Sequence, residues 1–149
     1  MTELRELYQE VILDHNKRPR NYGGVSECGS RAEGYNPLCG DRVSVGVSLA
    51  DGVISDVRFE GAGCAISQAS ASTMTEALKG KGLDEARQIC EEFHELVTSN
   101  SGTVDHLDES LMAFEGVREF PIRIKCATLP WHTFLAALAE PNAEVTTED

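Results

Sequence analysis

The sequence predicts an α+β fold, a small antiparallel β-sheet of about three strands packed against a set of α-helices. Two observations carry this. Apolar residues alternate on both sides of an Asp51-Gly52 pair, which marks a hairpin. From Gly61 onward the apolar residues recur at helical spacing instead, so strands come early and helices late.

Leu4, Leu7, Tyr8, Val11 and Ile12 predict an amphipathic helix over residues 3–15. It should stop before Pro19, and "NKRPRNYGG" reads as extended chain or loop. Residues 20–34 show no clear period. Val43, Val45, Val47 and Leu49 alternate with polar or small residues in the first hairpin strand, and Val53, Val57 and Phe59 share a face in the second. "GAGCAISQASASTMTEALKG" starts with glycines and continues as a small-residue helix to near Gly80. Leu83, Ala86, Ile89, Cys90, Phe93 and Val97 form the apolar stripe of a helix over 84–98, with Asp84 as its N-cap. "HLDESLMAFEG" reads as a short exposed helix. A final helix runs from Pro121 to Ala139, with Pro130 in its first turn or at a kink. One domain over 1–140 is expected, followed by an acidic flexible tail over 141–149.

At 149 residues the chain can bury a single core without disulfide staples. It has no apolar run of membrane-spanning length, and its charged, amphipathic start does not read as a secretory signal. A cytoplasmic location is the expectation. The formal net charge of -12 repels phosphate backbones and argues against nucleic acid as a partner. Five cysteines, an odd number with no sign of export, favour metal binding or thiol chemistry over a disulfide framework.

Cys39 and Asp41 flank Gly40; in extended chain, side chains two apart point the same way, so a thiolate and a carboxylate would converge. Cys64 follows Gly61 and Gly63 and opens a helix, a position that favours the thiolate. Cys126 lies near the start of the last helix. Three thiolates and a carboxylate would close a four-coordinate zinc site, and Arg123 and Lys125 could offset its excess negative charge. Spacing alone does not separate this from isolated cysteines acting as small buried hydrophobes. Cys28, in a glycine-rich loop, reads as a bystander and Cys90 as core. His132 is expected to pack and cap rather than touch the site. His15, His94 and His106 are expected at the surface or at helix ends. "KRPR" and the acidic 105–119 segment suit partner docking as well as simple solvation.

Read together, "NPLCGD", "GAGCAISQASAS" and "RIKCATLPWH", with "VILDHNKRPRNYG" upstream, resemble the IscU/NifU N-terminal family of iron–sulfur assembly proteins. The likeness is closest to its SufU branch of zinc-dependent sulfurtransferases. The resemblance implies an IscU-like fold in which Cys39, Asp41, Cys64 and Cys126 hold Zn2+. It implies a SufS-like cysteine desulfurase as sulfur donor and a downstream Suf cluster-assembly complex as recipient. It also implies that a partner histidine replaces Cys39 on the metal, freeing Cys39 as persulfide acceptor, with Arg123 steadying the site. Scaffold members typically carry histidine immediately before the third cysteine; Lys125 stands there instead, and a protonated amine is a poor zinc ligand. The segment "HLDESLMAFEGVREFP" resembles an insertion of the SufU branch. The alternatives are an iron–sulfur cluster scaffold and a zinc-stabilised, non-catalytic adaptor of the desulfurase.

Overall fold

Val43, Val45 and Val47 lie at the centre of the sheet, each at most 3% exposed. The computed structural model describes residues 2–98, 109–139 and 143–146. Strands β1 (Ser30–Asn36), β2 (Asp41–Ala50) and β3 (Val53–Ala62) form an antiparallel meander. Asp51 and Gly52 both take positive φ, 55° and 77°, the backbone a tight twisted hairpin turn requires.

Two parts of the sheet differ from expectation. β1 occupies a stretch without visible period, because its inward residues are Ala32, Gly34 and Asn36, too small or too polar to register as a hydrophobic stripe. β4 (Ala143–Thr146) falls within the expected flexible tail. Those four residues pair in parallel with Ala32–Tyr35, giving the order β3-β2-β1-β4. A strand added to a sheet edge is held by main-chain bonds, to which acidic composition is blind.

Among the described residues, five α-helices complete the fold: α1 (Thr2–Lys17), α2 (Ala65–Leu78), α3 (Leu83–Thr98), α4 (Glu109–Met112) and α5 (Pro121–Ala139). Asp84 thus lies in the first turn of α3 rather than capping it, where its charge still suits the helix dipole. α5 lies across β1 and β2 and also packs on α2. Gly34 permits this approach: a Cβ there would sit 2.1 Å from Thr133 Oγ1. Phe59, Met74, Leu78, Phe93, Leu129 and Phe134 are fully buried, each worth about 1.5–3 kcal/mol of transfer free energy. Phe93 of α3 stacks on Trp131 of α5, centroids 4.3 Å apart and planes 14° from parallel. Trp131 Nε1 donates to Ser70 Oγ at 3.0 Å, and Ser70 in turn donates to the Ala127 carbonyl at 2.5 Å.

The segment expected as an exposed short helix is a core element. Leu111, Phe114 and Val117 are buried, and Phe114 meets Phe93 edge-on at 5.7 Å. Residues 105–108 of that segment, including His106, lie outside the described residues. His15 is also not at the surface: it is 3% exposed, with Nδ1 2.7 Å from Ser72 Oγ and Nε2 3.6 Å from Glu76 Oε1. Ser72 Oγ accepts from the Arg20 N–H at 2.8 Å, so α2 fastens the end of α1 and the loop after it. Burial lowers the His15 pKa, an effect Arg20 reinforces and Glu76 opposes.

Pro130 falls inside α5 rather than in its first turn. It has no N–H to bond the carbonyl four residues back, which is that of Cys126.

Candidate functional site

One end of β1, the start of β2, the start of α2 and the second turn of α5 meet at the cysteines. Residues 37–40 form the turn between β1 and β2, closed by the Cys39 N–H donating to the Asn36 carbonyl at 3.3 Å. Gly40 has φ of 70°, a left-handed conformation natural to glycine. Cys39 and Asp41 therefore converge through a reversal of the chain, not through strand alternation. Cys39 Sγ lies 3.3 Å from Cys126 Sγ, and the donor atoms of Cys39, Asp41 and Cys126 all lie within 4.8 Å of one another.

Cys64 stands beside this trio. It is the N-cap of α2, its Sγ accepting from the Ser67 N–H at 3.4 Å, while its own N–H donates to Asp41 Oδ1 at 2.9 Å. Its sulfur is outside the 4.8 Å group. Gly63 makes the close passage of α2 possible, since a Cβ there would meet Asp41 Oδ1 at 2.6 Å. Asp41 Oδ2 accepts from Asn36 Nδ2 at 3.2 Å, and that nitrogen also reaches Cys126 Sγ at 3.4 Å. Asn36 is completely buried. Residue chemistry alone passes over it, because a carboxamide is not among the usual ligands of zinc; its place in "YNPLCGD" was the available signal.

Burial pushes the Cys126 thiol far above the ordinary range, and hydrogen bonding with Asp41 and Cys39 and the charge of Cys64 add to the push. Several anions cannot share this pocket without a cation to offset them. A divalent ion of the zinc class would supply that offset. Tetrahedral zinc with thiolate bonds near 2.3 Å separates its sulfurs by about 3.8 Å, so the two sulfurs here need only part by about half an ångström. The donor set fits such an ion: Cys39, Asp41 and Cys126 could hold it, with Cys64 adjacent. Arg123 is exposed, and its charge is reinforced first by a hydrogen bond to Cys126 and then by Cys64. Lys125 is also exposed; one residue from Cys126, it lies about 100° around the helix from the thiol.

The remaining cysteines and histidines lie elsewhere. Cys28 is half-buried against Gly46, with burial raising its pKa. Cys90 is buried on α3 and its pKa is pushed up to about 12 by desolvation. His132 faces His94 rather than the cysteines. Large exposed apolar side chains neighbour these residues in the chain: Leu38, 68% exposed, precedes Cys39, and Phe120 and Ile122, 60% and 62% exposed, flank the start of the helix that carries Cys126.

A buried cysteine–carboxylate cluster at one end of a four-stranded sheet, closed by a long helix, defines a small α+β domain with a candidate metal centre. Residues 7–138 match the family described as the NifU-like N terminal domain, and the chain belongs to that family. It is 40% identical over 138 residues to the zinc-dependent sulfurtransferase SufU of Bacillus subtilis, covering 92% of each chain. It is 36% identical over 138 residues to the iron–sulfur cluster assembly scaffold protein IscU of Streptococcus pyogenes, covering 93% of this chain and 86% of that one. A crystal structure from Fervidobacterium islandicum, named as a scaffold protein for the SUF system, superposes with a TM-score of 0.80 at 34% identity, covering 87% of this chain and 94% of the other. Among the described residues, no helix is long and apolar enough to cross a membrane.

Proposed function

We propose that this chain is a zinc-dependent sulfurtransferase of iron–sulfur cluster assembly, taking sulfur from a cysteine desulfurase onto Cys39 and passing it to the cluster-building complex in the cytoplasm. The observation that carries the reading is a difference in access. Asp41 and Cys126 are completely buried, whereas Cys39 is half-buried on a turn beside Gly40. One sulfur of the cluster can leave without unpacking the others. Likeness to the Bacillus sulfurtransferase, and Lys125 in the position before the third cysteine, support transfer over cluster building.

Zinc, when bound, keeps its thiol ligands deprotonated at neutral pH without redox chemistry of its own. Asp41, Cys64 and Cys126 would retain it. The Cys39 thiolate attacks the terminal sulfur of the donor's persulfide. A sulfur–sulfur bond forms at Cys39 as the donor's breaks, and the donor cysteine leaves as thiolate. The exchange is balanced, with no net oxidation. Arg123 offsets negative charge at the mouth. Leu38, Phe120 and Ile122 supply exposed apolar surface on which the donor protein would seat and exclude water.

Incubation of zinc-loaded protein with a cysteine desulfurase and cysteine, followed by mass spectrometry, should show one added sulfur on Cys39. Cys39→Ser should reduce desulfurase turnover to that of the desulfurase alone while remaining folded. Turnover that is still stimulated in Cys39→Ser would overturn the assignment. A labile, coloured cluster in place of zinc would favour the scaffold reading.

A further inference from the structure

Two histidines outside the cysteine cluster face each other across a helix pair. His94 on α3 and His132 on α5 have ring centroids 5.7 Å apart, with planes at 66°. Both residues keep access to solvent, although the ring of His132 is partly desolvated by its neighbours. Each directly follows a buried aromatic residue, Phe93 or Trp131, and those two rings are the stacked pair that joins the helices. The buried stack sets the distance and rotation between α3 and α5, so the imidazoles one residue further on are presented as a fixed pair.

The spacing suits a shared metal ion. Two imidazoles bound through nitrogens at 2.0–2.1 Å to one tetrahedral ion place their ring centroids about 5.2 Å apart. The observed pair is about half an ångström wider, which small χ adjustments can close. Ca2+ and Mg2+ prefer oxygen ligands, whereas imidazole suits zinc, nickel and copper. Glu91, one helical turn before His94, is exposed and adds negative potential on a chain of net charge -12. Burial, and then the charge of His94, hold the His132 imidazole below its usual pKa, which favours the neutral ring that a metal needs.

We propose that His94 and His132 form a second divalent-cation site of the zinc class, with water completing the coordination, which clamps α3 to α5. The site is separate from the cysteine cluster and does not depend on how that cluster is used. Because α5 also carries Cys126, occupancy would brace the helix on which the cluster rests.

The test uses the full chain already loaded with one equivalent of zinc. Equilibrium dialysis against Zn2+ should show a second, weaker equivalent, and excess Zn2+ should raise the melting temperature by mass action. His94→Gln and His132→Gln should each abolish both effects, with the first equivalent and the melting temperature without excess zinc unchanged. Three results would overturn the proposal: no second equivalent at about 100 µM free zinc, well above a site of micromolar affinity; a second equivalent that survives both substitutions; or one lost in only a single variant, which would mean one histidine acting alone.

Discussion

The Asn36 side-chain amide donates to Asp41 Oδ2 at 3.2 Å across the turn that carries Cys39. The same nitrogen reaches Cys126 Sγ, so one buried residue orients a carboxylate from β2 and a sulfur from α5 together. Asn36→Ala should weaken zinc binding by roughly 10–100-fold, the usual effect of removing a group that orients metal ligands. Competition with a coloured chelator measures it, and circular dichroism should report an intact fold. Equal affinity in the two proteins would show that the amide plays no part in holding metal.

Gly63→Ala tests the packing of α2 against the cluster. The new methyl group would fall 2.6 Å from Asp41 Oδ1, an atom already held by the Cys64 N–H. Either the carboxylate turns away or the start of α2 shifts, and both open the donor set. Metal content after gel filtration should drop markedly. Unaltered zinc stoichiometry and affinity in Gly63→Ala would contradict the observed approach.

His15 should make stability depend on pH. Its folded-state pKa is lowered by burial from the ordinary 6.5, so the unfolded chain takes up the proton first as pH falls. The contribution of neutral His15 is therefore full above about pH 6.5 and is lost progressively below it, at no more than about 1.4 kcal/mol per pH unit for one proton. Urea unfolding from about pH 7.5 to about pH 5.5 should show a steeper decline in wild type than in His15→Gln. Some dependence will persist in the variant, because His132 is also held low, and protonation of the metal ligands is common to both proteins. Parallel curves would mean that His15 protonates equally readily folded and unfolded.

The helices and the β2–β3 hairpin were legible because their apolar residues keep a clean period and because Asp51-Gly52 has strong turn chemistry. β1 was not, since Gly34 and Asn36 face inward for reasons of approach and hydrogen bonding rather than hydrophobicity. β4 was hidden by acidic composition. Cys39, Asp41 and Cys126 were named from motif and residue type, and the structure brings their donor atoms together. The manner of their meeting was misread, because the reversal around Gly40 depends on one positive φ that alternation rules do not see. His15 does lie in the last turn of α1, as expected, but its burial was not legible, because only the folded chain reveals Ser72 and Glu76 beside it.

Pro130 interrupts the hydrogen-bond ladder of α5 between two buried stretches. Beyond it, Trp131 and Phe134 are wedged into the interior. Before it, Cys126 and Leu129 are buried as well, but the Cys126 carbonyl finds no N–H at residue 130 to accept from. The residue that gives the cluster its deepest sulfur is therefore also the one whose backbone carbonyl the proline leaves without its helical partner.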